Sequence, residues 1–221
     1  MTAFKPLASA DDVWVYDSDG TPTMAPLNGV SLQVGWYSSA FAKMGMGIRF
    51  PNVTIAKDTI IQSAVIAFTS YGSSAVNTVK GRFHGEKVAD ASEFTNIENY
   101  AGRARTTASV DWDAIEAFVS GNTYNSPELK TIIQEIVNQA GWVSGNDLVI
   151  FFDDADDRSS HVEACRRMGN SYDADPNTCP ILTITLAPTT NISKVSGVAY
   201  ASIKKISGVA IASVKKVAGV A

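Results

Sequence analysis

The stretch TIIQSAVIAFT, Thr59 to Thr69, decides the fold class. Its β-branched and aromatic residues suit a strand, and Ile60, Ala64, Ile66 and Phe68 fall on one face of an extended chain. The signature recurs on both sides of it. Ser31–Trp36, Met46–Phe50 and Val76–Phe83 are further strand candidates. DLVIFF (Asp147–Phe152) and ILTITL (Ile181–Leu186) are the strongest of the later ones. Many short strands with a small helical share predict an all-β protein, a jelly-roll β-sandwich with one or two short helices.

SPELKTIIQEIVNQAG carries the better helix signal. Ser126 suits an N-cap, Pro127 the first helical position, and Glu128 the positive end of the helix dipole. Leu129, Ile132, Ile133, Ile136 and Val137 make one apolar face, and Gly141 ends it. A second helix is expected from Trp112 to Val119 behind Asp111. Both read as plugs at the ends of a sandwich. Before Val30, three prolines (Pro6, Pro22, Pro26) and the turn signal Asp17-Ser18-Asp19-Gly20 predict a lead-in arm, with Val13–Tyr16 a possible short strand. The expected organisation is therefore an arm (1–29), a sandwich (30–187) and a terminal segment (188–221).

The terminal segment differs in kind. ISKVSGVAYASIKKISGVAIASVKKVAGVA, Ile192 to Ala221, repeats with a period of 11. Glycine in each unit and many Val and Ile residues favour strands over a helix. The pattern resolves into Val198–Ile206, the turn Ser207-Gly208, Val209–Val217 and the turn Ala218-Gly219, a meander of near-identical strands. Too small to stand alone, it reads as an assembly element involving Lys194, Gly197, Lys204, Lys205, Gly208, Lys215, Lys216 and Gly219. Its cheapest partner is another copy of the chain, with folding back on its own body as the alternative. Charge follows the same division. The net charge of −4 combines five tail lysines with a body of thirteen basic and 22 acidic residues, net −9. Tail and body therefore attract, in one copy or between copies, unless the lysines serve only to keep the segment dissolved.

Several constellations could carry chemistry. Asp153, Asp154, Asp156 and Asp157 crowd one loop. Hard cations such as Ca²⁺ take about six to eight oxygens, so calcium is the metal to consider there, although neighbouring arginines can neutralise the same acids. Arg103 and Arg105 alternate in GRARTTASVDW. They could clamp a carboxylate or an acidic sugar, or anchor a loop. Trp36, Tyr37, Tyr71, Tyr100, Tyr124 and Tyr172 are the loop-side aromatics on which a sugar could stack, whereas Trp14, Trp112 and Trp142 read as packing residues. His84 and His161 lie near no G-x-S-x-G elbow, and Glu86 with Asp111 is a carboxylate pair that any acidic chain offers, so no catalytic residue is assigned. Cys165 and Cys179 lack zinc spacing and are free thiols or a late disulfide. An acidic body and a tail without aromatics argue against specific nucleic-acid binding. No apolar run approaches the ~20 residues of a membrane span, and the first twenty residues lack the apolar core of a signal peptide.

GIRFPNVTIAKDTIIQSAVIAFTSY, FHGEKVADASEF, GRARTTASVDW, SPELKTIIQEIVNQAGWVSGNDLVIFF and SYDADPNTCPILTIT follow one another between about Gly45 and Leu186. In that order they resemble the DNRLRE-like, or disaggregatase-related, jelly-roll modules of microbial surface proteins, which are similar to carbohydrate-binding modules. The resemblance implies a non-catalytic, adhesive sandwich. The acidic loop DDADDRSSHVEACRRMGN departs from that pattern. The tandem ending resembles those of tailed-phage virion proteins. Together these imply a structural virion protein made in the host cytoplasm: a capsid decoration, head fibre or tail-associated component. Its partners would be its own copies, other virion proteins and host surface glycans. A carbohydrate-binding adhesion module of a bacterial surface protein, with calcium as the candidate cofactor, is the alternative.

Overall fold

A computed structural model describes residues 1–74, 77–113 and 115–188, together with the pairs 194–195, 198–199, 205–206 and 209–210. The chain forms two units, Met1–Leu186 and Ala187–Ala221.

The first unit is an all-β sandwich of twelve strands with two short helices. It begins with β1 (Thr2–Phe4), β2 (Asp12–Ser18), β3 (Thr21–Met24), β4 (Ser31–Gly35) and β5 (Ala42–Phe50). Then come β6 (Ile61–Thr69), β7 (Gly81–Glu86), helix α1 (Ile97–Gly102), β8 (Arg105–Trp112) and β9 (Thr123–Asn125). Helix α2 (Lys130–Val137), β10 (Leu148–Asp153), β11 (Arg166–Asn170) and β12 (Ile181–Leu186) complete it. The small sheet has the order β1-β12-β6-β9. The large sheet runs β11-β4-β5-β10-β7-β8, with β2 added on β5 and β3 on β2. Every pairing is antiparallel, and from β5 onward the chain passes back and forth between the sheets, as a jelly roll requires.

The expected lead-in arm is instead woven into both sheets. Thr2 pairs with Ile184, and Val13 with Gly47. Proline did not prevent this because Pro22 lies on β3, which pairs only with β2 and needs no donor on its outer edge. Asp19 (φ 50°) and Gly20 (φ 88°) make the tight two-residue β2–β3 turn.

Between the sheets lies an aromatic heart. Phe83 and Phe152 stack with centroids 4.0 Å apart, and Phe68 and Trp112 close around them. The opposite face of the large sheet is also covered. Val13, Val15, Val149 and Phe151 pack there against Ala91, Phe94 and Tyr100 from the segment that carries α1. Gly47 is the place where that layer comes closest: a Cβ would sit 2.5 Å from Phe94 Cζ.

Three details of the elements differ from the sequence pattern. In β6 the inward residue is Ile61, and Ile60 is exposed, because an irregularity opposite Thr185/Leu186 shifts the phase of the strand. The strand expected from Val76 begins at Gly81 and continues to Glu86. The helix expected from Trp112 to Val119 is absent among the described residues; Trp112 ends β8, and Ile115 and Phe118 are buried from a segment without regular secondary structure.

Helix α2 forms, but Ser126 is not its cap. Ser126 Oγ accepts from Ile66 N–H, Glu128 Oε1 from Ala64 N–H and Gln134 Oε1 from Ile61 N–H. The helix and the segment leading into it thus satisfy the edge of β6 beyond β9. Glu135 does the same for the N–H groups of Thr107 and Ala108 on β8. Its buried face, Ile132, Ile133, Ile136 and Val137, joins the core. The helix and the segment leading into it therefore cap part of one edge of each sheet with side chains, which blunts those edges against pairing with another strand.

In the second unit β13 (Lys194–Val195) pairs with β14 (Val198–Ala199), and β15 (Lys205–Ile206) pairs with β16 (Val209–Ala210). The same pairing recurs 11 residues on. Lys194 and Lys205 are strand residues. Gly197, Lys204, Gly208, Lys215, Lys216 and Gly219 lie outside the described residues.

Candidate functional site

The expected ligand residues separate into different neighbourhoods. Trp36 and Tyr37 follow β4 at Gly35, whose φ of 112° turns the chain; a Cβ there would lie 2.5 Å from Cys165 O. Trp36 stacks on His161 at 5.6 Å, and His161 Nε2 is 2.9 Å from Asp157 Oδ1. The Arg166 guanidinium lies 4.2 Å over the Tyr37 ring and donates to Gln33 Oε1 at 2.7 Å. Desolvation lowers the Arg166 pKa from its ordinary value, but the group remains a cation.

Tyr37 also meets the edge of Phe41, which packs against Tyr16 at 4.8 Å, and Tyr16 against Trp14 at 5.0 Å. The sequence pattern missed this strip, since Trp14 read as a packing residue and Tyr16 and Phe41 stood in no motif. Alternation along β2 was the available signal: Trp14 and Tyr16 share a face opposite to buried Val13 and Val15. Each ring of the strip is engaged with another ring or with Arg166.

Tyr172 lies apart, half-buried in the loop before β12, with its N–H donating to Asp12 Oδ2 at 2.7 Å. Asp12 is fully buried, and its Oδ1 has no hydrogen-bond partner. Burial, followed by the nearby carboxylates of Asp173 and Asp11, pushes the Asp12 carboxyl up to about 7, with the Tyr172 N–H opposing. Tyr100 and Tyr124, two other expected platforms, are buried in the core.

Arg103 and Arg105 serve the fold. Arg103 precedes β8 and is buried. It pairs with Glu86 at 2.7 Å, donates to Ser92 O, Glu93 O and Asn99 Oδ1, and lies 4.4 Å over Phe94. Arg105 lies 3.2 Å over Phe151 and 5.1 Å from the Tyr100 centroid. Burial and Asp153 hold the Tyr100 phenol well above its ordinary pKa, so it stays protonated and donates to Asp153 Oδ1 at 2.5 Å. A bound carboxylate would have to displace these contacts.

The four clustered aspartates do not converge. Asp153 takes Tyr100, Asp154 accepts from the N–H groups of Arg158 and Ser159, Asp156 pairs with Arg82, and Asp157 faces His161. Among the described residues no group of three or more His, Cys, Asp or Glu side chains is placed to hold a metal ion. Positive φ at Asp156 (62°) and Asp157 (54°) turns the loop sharply and sends successive carboxylates in different directions. His84 Nδ1 lies 3.2 Å from Thr106 O, inside the large sheet. Cys165 and Cys179 are free and buried, and desolvation raises both thiols, Cys179 to about 11, which keeps them protonated and unreactive. No helix among the described residues is long and apolar enough to cross a membrane.

No family model matches the chain, and no curated protein matches it.

Proposed function

We propose that this chain is a non-enzymatic structural protein of a tailed-phage virion, in which the sandwich is displayed and the C-terminal repeat drives oligomerisation or anchoring. The observation that carries the reading is the recurrence of the same antiparallel pairing at Lys194–Ala199 and Lys205–Ala210. Each pairing makes a sheet of two strands. Isolated two-stranded hairpins are marginal in water, and ordering a residue costs about 1–2 kcal/mol of backbone entropy, so such units gain from stacking with their like. A second copy supplies identical strands, and the five tail lysines suit a body of net −9. The structural roles of Arg103, Arg105 and the acidic loop fit a display scaffold. Its partners would be other copies and other virion proteins, and its place the particle.

The mass of the native particle in solution tests this. The full chain is expected to be oligomeric, and the chain ending at Leu186 monomeric. An unchanged monomer in both cases overturns the assembly role. The second reading, a carbohydrate-binding adhesion module, is favoured by one surface feature, an open groove beside an unengaged tyrosine.

A further inference from the structure

We propose that the groove beside Tyr71 binds a neutral sugar ring, with the ring of Tyr71 as its stacking platform. Tyr71 is 45% exposed. Unlike the rings of the Trp14–Tyr37 strip, it meets no other ring or cation, and its hydroxyl has no partner among the described residues. Its backbone is nonetheless fixed, since Tyr71 N–H donates to Met168 O at 3.1 Å. An exposed but anchored ring costs little entropy to use as a contact surface.

The adjoining groove has a volume of about 470 Å³, within the range of small-molecule sites. Exposed Val30 stands with Tyr71 among its walls, beside Ser120, Gly121, Asn170 and Asp173. The walls are tied together by Gly121 N–H to Ser70 O (2.9 Å) and Ser70 N–H to Asn122 O (2.8 Å). The site is therefore preformed. Asn170 Nδ2 is spent on Thr178 Oγ1 at 2.7 Å, which leaves its carbonyl oxygen to accept from a ligand hydroxyl. Ser120 can both donate and accept.

This combination suits a pyranose, which has an apolar C–H face for a ring and hydroxyls around its edge. Charge sets the class further. Asp173 is the one charged residue of the lining among the described residues, and the body is strongly acidic, so uronates, sialylated glycans and nucleic-acid phosphates are repelled. A single ring is no cage for a quaternary ammonium. The site lies far in kind from the Arg103–Arg105 clamp for acidic sugars that the sequence suggests, since those arginines are occupied. The inference rests on the carbohydrate-binding reading and needs no assembly: a chain that failed to oligomerise would still bind.

The test titrates the full-length chain with neutral gluco-, galacto- and manno-oligosaccharides, with oligogalacturonate as the acidic control, by calorimetry and by chemical-shift mapping. At least one neutral series is expected to bind and to shift residues 70–72, 120–121 and 170–174, while oligogalacturonate does not. Tyr71→Ala should weaken binding by about tenfold or more, and Tyr71→Phe, which keeps the ring, should stay within about threefold. Both substitutions sit at a half-exposed ring and should leave the fold's circular dichroism unchanged. No binding by any neutral series, preference for oligogalacturonate, or equal binding by Tyr71→Ala overturns the proposal.

Discussion

The large sheet buries both of its faces, and it does so by different means. Toward the small sheet, Phe68, Phe83, Trp112 and Phe152 interlock as rings among aliphatic residues. On the opposite face, Phe94, Tyr100 and Phe151 are bound by Arg103, Arg105 and Asp153, so the covering segment is held by cations over rings and by charged hydrogen bonds. The inner face resists deletion of volume, and the outer face resists deletion of specific donors. Residues that look like a ligand clamp in the sequence can therefore be the fastening of a second layer.

The largest effect should come from the inner face. Phe152→Ala removes a ring that is 2% exposed and stacked on Phe83. It should lower stability by about 3–5 kcal/mol, read as a shift of the urea midpoint. A loss under about 1 kcal/mol would mean that the ring stack is not the centre of the core.

Arg103→Ala leaves Glu86, itself mostly buried, without its cation. A loss of about 3 kcal/mol is expected, and Arg103→Lys should recover little of it because the planar fork is what reaches Ser92, Glu93 and Asn99. Hydrogen exchange sharpens the comparison: amides of 91–102 should open in Arg103→Ala while those of β6 and β12 stay protected. Uniform opening would show that the two faces are one cooperative unit.

Asp12 breaks the symmetry of the comparison. It stands opposite Ile48, on the inner side of the sheet, and has no arginine. Its folded pKa of about 7 lies above the ordinary 3.8. The folded chain therefore keeps a proton that the unfolded chain releases, so this contribution is complete below about pH 4 and is lost as pH rises through 7, with a limiting slope of about 1.4 kcal/mol per pH unit. Asp12→Asn keeps the shape and should flatten that slope between about pH 4 and pH 7 in urea titrations. A slope identical to that of the unsubstituted chain would place the proton elsewhere.

The smallest effect is Arg105→Lys. The ammonium cannot lie flat on Phe151 and Tyr100, and about 1 kcal/mol should be lost, with a further fall in Arg105→Met only if charge matters beyond stacking.

What could be read from the sequence was whatever local periodicity sets. Ala64, Ile66 and Phe68, the runs 148–152 and 181–186, and the apolar face of α2 all fold as their patterns require. What could not be read depends on partners distant in the chain. Val13–Tyr16 was legible and lies in β2, but β1 and the proline-bearing β3 are short and become strands only against β12 and β2. Ser126 carries a capping signal, yet its hydroxyl serves Ile66 N–H, 60 residues away. Arg103 and Arg105 alternate in the sequence, yet Arg103 ends α1 and turns inward while Arg105 begins β8. Tyr71 was legible as a loop aromatic, but its lack of a ring partner is a three-dimensional property.

The position of β12 has a mechanical consequence. It lies inside the small sheet, between β1 and β6, and its last residue, Leu186, leads directly into the tail. Traction applied along the tail enters the sandwich through an interior strand. It therefore shears the ladders to β1 and β6 together, where pulling on an edge strand would unzip one bond at a time. A sandwich loaded at this point should withstand traction better than one loaded through β9 or β3, whose few pairings lie at the margin of a sheet.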